Sequence, residues 1–209
     1  MKRSALRSTH AATFALALAL SGCAARTTIV SKRAEQANLS PKRIFVESHL
    51  LDARAGANFG PTFANAFDAA LVTILRNCGT QVTVTDLTGI EVDNDATLKA
   101  IEALAPDTVV VLTKAHGTVA QYGGLVRATY AFDLYQPTGP GEPVAKLLAR
   151  GASLKAKWRS TIDFAPGYSM PGSVELDGKL FATAVTNRLK EDGFFPGCPK
   201  FVQQTAEAE

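Results

Sequence analysis

The chain has 209 residues, 46% of them hydrophobic and 20% charged, a balance too apolar for disorder and too irregular for a coiled coil. Its formal charge of +3 is carried by Lys2, Arg3 and Arg7, because beyond residue 22 the basic side chains equal the 19 acidic ones in number. A domain without a basic excess is poorly equipped to displace counterions, so a nucleic-acid partner is not expected.

Residues 1–22 read as a processing signal. Lys2, Arg3 and Arg7 give a positive start, Ala11 to Leu20 form an apolar run, and Leu20-Ser21-Gly22-Cys23 closes it. Ten helical residues span about 15 Å, half of a bilayer core, so the run is too short to be a transmembrane helix. The motif Leu20-Ser21-Gly22-Cys23 resembles the lipobox of bacterial lipoproteins. That resemblance implies cleavage before Cys23, with diacylglycerol on its thiol and an acyl chain such as palmitate on its amine. Ala24, where an Asp would imply inner-membrane retention, implies the outer membrane, with the domain facing the periplasm. Several acyl chains together anchor stably.

Residues 23–41 lack periodicity and read as a lipidated tether. Residues 42–200 suit a single domain, and 201–209 a disordered tail. Arg43 to Leu50 alternates as a half-buried strand. Pro61 stands at the start of a helix whose Phe63, Phe67, Leu71 and Leu75 recur at helical spacing, and Gly79 stops it. Gln81 to Leu87 is a short strand. A helix capped by Asn94 or Asp95 runs to Ala105 before Pro106. Thr108 to Thr113 is a β-branched central strand, and Leu125 to Tyr135 alternates with one wet face. A further strand is placed at Val144 to Arg159 with a β-bulge at Gly151. A loop at 160–172 and a helix over Val174 to Asp192 complete the chain. The order β-α-β-α-β-β-β-α predicts an α+β two-layer sandwich: a mixed five-stranded sheet, its first strands parallel, with helices on one face.

With the lipobox, this order resembles the small α/β modules of envelope-assembly lipoproteins. The amino-terminal TolB-like domain, the curli-secretion lipoprotein and lipoprotein activators of penicillin-binding proteins are of this kind. The resemblance covers about residues 43–193, rests on element order, and assigns no site residue.

Motifs for catalysis are missing: HExxH, CxxC, G-x-S-x-G, a phosphate loop and S-x-x-K are all absent from the sequence. No enzyme, cofactor or metal is therefore expected. Cys78 and Cys198 follow the two long helices. In an oxidising compartment they read as a disulfide, the alternatives being a buried free pair or a reactive thiol with histidine. His49 and His116 fall at strand ends, either as imidazoles bonded to backbone or as a metal pair with Asp52 or Asp86. Asp93-Asn94-Asp95 lacks the Gly and Glu of a calcium loop and reads as a helix cap.

Lys155, Lys157 and Arg159 alternate outward, with Arg127 joining from the neighbouring strand. They form either a cationic stripe for an anionic partner or gatekeepers on an edge. Phe164, Tyr168 and Met170 lie on the next loop as interface anchors or as a lid. The expectation is a lipid-anchored, non-enzymatic accessory factor that binds another envelope protein. A small-ligand or lipid carrier is the alternative, and an unconventional hydrolase comes last.

Overall fold

The structure, a computed structural model, describes residues 25–52, 59–88, 95–119, 125–137, 155–167 and 173–199. Among the described residues six strands form one open sheet: β1 (Arg26–Arg33), β2 (Arg43–Ser48), β3 (Gln81–Asp86), β4 (Thr108–Val119), β5 (Leu125–Tyr135) and β6 (Trp158–Ala165). Three helices accompany them among the described residues: α1 (Gly60–Asn77), α2 (Asp95–Leu104) and α3 (Ser173–Glu191). Across the sheet the order is β1-β6-β5-β4-β2-β3. β2 runs parallel to β3 and β4, and the remaining pairs are antiparallel. The fold is α+β with a mixed sheet, and the expected parallel opening unit and antiparallel meander are both present.

Three expectations need correction. The sheet has six strands rather than five, because Arg26–Arg33 is a strand and not part of a tether. Thr27, Ile29 and Ser31 pair with Phe164, Ile162 and Ser160 on the covered face, while Arg26, Thr28, Val30 and Lys32 alternate outward. An edge strand covered on one face needs few large apolar residues, and Ile29 is the one large apolar side chain among the three that face inward, so its signal is faint.

The strand placed at 144–159 instead runs from Trp158 to Ala165. Trp158, Ser160, Ile162 and Phe164 are buried in strict alternation, and Pro166-Gly167 supplies the stop. Residues 144–154, with the expected bulge at Gly151, lie outside the described residues.

The helices also occupy both faces. Phe63, Phe67 and Leu71 of α1 and Phe181, Val185 and Leu189 of α3 join one core with Val46, Leu112, Phe132 and Ile162. Ile101 of α2 packs on the opposite face, against Phe45 and Val109. Crossover direction explains the split. The path from β2 through α1 to β3 moves outward, and the path through α2 to β4 returns past β2. Crossovers of one hand running in opposite directions lie on opposite faces.

The main core is aromatic. The Phe181 ring lies 5.1 Å from those of Tyr130 and Phe164 and 5.2 Å from Phe67. Gly178 lets α3 approach α1 closely, since a Cβ there would lie 2.5 Å from the Phe63 carbonyl oxygen. Among the described residues, no helix is long and apolar enough to cross a membrane.

Candidate functional site: a cationic cleft

β1 ends beside the start of β6, with Lys32 opposite Arg159 and Arg33 opposite Trp158. The pairing is extended by the Ala34 amide, which donates to the Lys157 carbonyl at 2.8 Å. At this end of the sheet a cleft of about 440 Å³ is lined by Lys32, Arg33, Ala34, Lys155, Ala156 and Arg159. Four of the six lining residues are cationic.

Arg159 is neutralised in part by Asp133, whose Oδ2 lies 2.9 Å from its Nη2. Arg33 donates from Nη1 to the Asp192 carbonyl. Gly193, at φ 92°, leaves room for that guanidinium, for a Cβ there would lie 2.6 Å from Arg33 Nη1. Neither Lys32 nor Lys155 meets an acidic side chain among the described residues. The cleft therefore has surplus positive charge in a concave setting, where charges of one sign focus the field toward an anion.

Only part of the stripe read from the sequence comes together here. Lys155 and Arg159 line the cleft, whereas Lys157 is half-buried. Arg127 stands six residues along β5 from Asp133, roughly 20 Å away at strand rise. There it pairs with Asp163 at 3.2 Å. Asp163 also accepts from Thr129 Oγ1 at 2.6 Å, and that hydroxyl lies 2.9 Å from His116 Nε2. The Thr129 hydrogen bond, aided by Arg127, holds the Asp163 carboxyl below the usual carboxylate range. The gatekeeper reading of Arg159 fails, because β6 lies between β1 and β5. The guarded edge is β1, with Arg26, Lys32 and Arg33. Phe164, expected on a loop, is buried within β6. Cys23, Tyr168 and Met170 lie outside the described residues.

No protein-family model and no curated protein matches the chain. Among solved structures it is similar to the PelC dodecamer from Paraburkholderia phytofirmans. That likeness has a TM-score of 0.43 and 14% identity, over 77% of this chain and 96% of that one. A variant PelC dodecamer from the same organism gives 0.40 and 13%, over 75% and 96%. Likenesses of this size define neither the fold nor the activity of the chain.

The two histidines have separate partners. His49 Nε2 lies 2.6 Å from Glu47 Oε1, and Nδ1 lies 3.7 Å from Asp52 Oδ2. The Glu47 hydrogen bond raises the imidazole pKa despite partial burial. Asp86, weighed above as a possible partner, instead meets Asp68 of α1. Cys78 and Cys198 are joined as a disulfide, with Cα atoms 5.1 Å apart. It ties the end of α1 to the chain beyond α3.

Sequence reading missed Lys32 and Arg33, because they sat in the supposed tether. The alternation of Arg26, Thr28, Val30 and Lys32 against Thr27, Ile29 and Ser31 was the available signal. Asp68 and Asp86 were missed as a pair because 18 residues separate positions that meet only across the helix–sheet interface.

Proposed function

We propose that this protein is an envelope lipoprotein, anchored through Cys23 to the outer membrane and facing the periplasm. In this reading it acts without catalysis, by binding an anionic group of another envelope component in the cleft of Lys32, Arg33, Lys155 and Arg159. The observation that carries the reading is the convergence of four cations on one concavity, of which only Arg159 is ion-paired with an acidic side chain among the described residues. A carboxylate or phosphate group fits that chemistry.

The leash is short. Only two residues separate Cys23 from β1, so the domain sits close to the bilayer. Arg26 marks the end of β1 nearer the anchor, and Arg33 lies seven residues on, about 23 Å away at strand rise. A cleft at the far end favours a partner in the periplasm over the headgroups at the anchor.

The carrier reading has less support. A carrier needs space between helices and sheet, and among the described residues that layer is filled by Phe63, Phe67, Phe164 and Phe181.

The test is crosslinking in living cells from photoreactive residues at positions 32 and 155, against a Lys32→Glu/Lys155→Glu variant of unchanged melting temperature. One dominant envelope species, lost in the variant, supports the proposal. Equal capture by the reversed-charge variant removes the cleft as the binding site.

A further inference from the structure

β1 is an edge of the sheet: β6 pairs with one side of it, and no strand pairs with the other among the described residues. Backbone groups along an antiparallel ladder point alternately to the two sides of a strand. The Ala34 amide donates toward β6, to the Lys157 carbonyl. Counting back from it, the N–H and C=O groups of Lys32, Val30 and Thr28 also face β6. Those of Arg33, Ser31, Ile29 and Thr27 therefore face the open side, and none of them has a backbone partner among the described residues.

Most of the devices that close an edge are missing from β1. Its eight residues keep one unbroken register with β6, from Arg26 opposite Ala165 to Arg33 opposite Trp158, and include no proline. Bulges, prolines and short length are the usual protections. Thr27, Ile29 and Ser31 are only half-buried on the inward face. On the outward face Val30 is 70% exposed, the most of any large hydrophobic side chain among the described residues.

What guards this edge is charge of one sign. Arg26, Lys32 and Arg33 are exposed and the strand carries no acid, while Lys155 and Arg159 continue the cations into the cleft beyond its end. Opposite charges across a strand pair stabilise it, and like charges destabilise it. A second β1 would bring Arg26, Lys32 and Arg33 again with no acid to meet them. The edge therefore selects against its own kind and in favour of an acidic strand.

We infer that β1 takes up an extended acidic segment of a partner protein as an added strand, antiparallel to it, with carboxylates at Lys32 and in the cleft. The inference rests on the anion-binding role proposed for the cleft and names what carries the anion. Main-chain hydrogen bonds to Thr27, Ile29, Ser31 and Arg33 hold the segment, and its alternate side chains meet Val30 and Lys32 on the outward face. Antiparallel pairing is the more stable ladder per residue, and it sets the acidic, amino-terminal end of the segment beside Arg33.

The experiment is amide hydrogen exchange, followed by NMR on the isotope-labelled protein, with the synthetic peptide acetyl-Glu-Asp-Glu-Thr-Val-Thr-Ile-Thr-Val-amide. At saturating peptide, exchange should slow at least about tenfold at Thr27, Ile29, Ser31 and Arg33, and change far less at Thr28, Val30 and Lys32. Two versions of the peptide, N-methylated at alternate residues in the two possible phases, test the hydrogen bonds on the unaltered protein. The version with methyl groups facing away should bind as the parent peptide does, and the other at least about tenfold more weakly. Thr27→Pro removes an N–H that faces the open side, where an edge tolerates proline. It should keep the melting temperature and weaken the peptide. Lys32→Glu/Lys155→Glu should weaken it as well. No binding at millimolar peptide overturns the inference, and so does equal binding of both methylated versions. If that equal binding is still lost in Lys32→Glu/Lys155→Glu, the cleft keeps its anion and only strand addition falls. Undiminished binding by the charge-reversed variant overturns the anionic reading of the cleft and the inference with it. Protection of the same amides in the protein alone, rising with its concentration, would seat a second copy on the edge and overturn the acidic partner.

Discussion

Trp158 Nε1 donates to Asp192 Oδ2 at 2.6 Å, tying the first residue of β6 to the turn that ends α3. The same carboxylate accepts from Ser31 Oγ of β1 and lies 3.2 Å from Arg188 Nη2. Burial pushes the Asp192 pKa up, but hydrogen bonds from Ser31 and Trp158, with the Arg188 charge, outweigh it and hold the carboxyl below its usual range. One side chain thus fastens the edge strand, its neighbour and a helix end, beside the cleft that Lys32 and Arg33 line.

Asp192→Ala should therefore loosen β1 before the rest of the sheet. Loss of these hydrogen bonds, with the Trp158 donor left unpaired, is expected to cost about 1–3 kcal/mol. Amide exchange should accelerate in Thr27–Ser31 while β2 and β4 stay protected. A carboxyl depressed in the folded state stabilises above its unfolded value near 3.9, and the contribution is lost as pH falls through the lower folded value. The parent should lose this increment in acid, and Asp192→Ala should have none to lose. Unchanged exchange in β1 would show that strand pairing alone holds it.

The Cys78–Cys198 bond closes a separation of 120 residues. Cross-links over loops of that size commonly contribute about 2–5 kcal/mol. Denaturant unfolding with and without a reductant, and of the Cys78→Ser/Cys198→Ser double variant, should give lower midpoints for the reduced and double-variant forms. Coincident midpoints would mean that Phe194 and Phe195, both buried, hold this end of the chain unaided.

Gly178 sets two effects against each other. Alanine is the better helix former by about 1 kcal/mol. Its Cβ would meet the Phe63 carbonyl oxygen at 2.5 Å and both Ala66 Cβ and the Phe67 amide nitrogen at 3.0 Å. Two of these are backbone atoms of a packed helix, which cannot swing aside. Overpacking of this kind costs about 1–3 kcal/mol, so Gly178→Ala should lower the melting temperature despite its helical preference. Gly197→Ala, with nothing within 4 Å, is the control and should be nearly neutral.

Elements that bury a full face announced themselves in the sequence. Phe63, Phe67, Leu71 and Leu75 marked α1, and the alternation from Ala128 to Leu134 marked β5, because burial repeats at the period of the element. Where burial is one-sided, the pattern weakens. β1 presents Thr27, Ile29 and Ser31 inward and read as a tether, which hid Lys32 and Arg33 and with them half of the cationic cleft. Trp158 lies at the end of the strand expected at 144–159, whereas β6 runs forward from it through Ile162 and Phe164. The face taken by α2 depends on β4 returning beside β2, a non-local choice that no window of sequence contains. The meeting of Asp68 with Asp86 depends on the same tertiary packing.

That pair also gives an unusual pH dependence. Burial, with Asp86 adjacent, pushes the Asp68 pKa up to about 8, against about 3.9 in an unfolded chain. Between those values the native state keeps a proton that the unfolded state has released, so stability falls as pH rises from about 4 to about 8. The ceiling is about 1.4 kcal/mol per pH unit, lowered in practice by solvent screening of a group that is only partly buried. His49 acts in the same direction. Its Glu47 hydrogen bond raises the folded pKa, giving stability that is present below about 6.5 and lost as pH rises through the folded value. Melting temperatures should therefore decline from pH 5 to pH 8. Asp68→Asn should flatten most of that decline and be more stable than the parent at pH 8, while His49→Gln should remove only the part above pH 6. A parent profile flat across this range, or an Asp68→Asn profile as steep as the parent's, would show that the two carboxylates ionise without penalty.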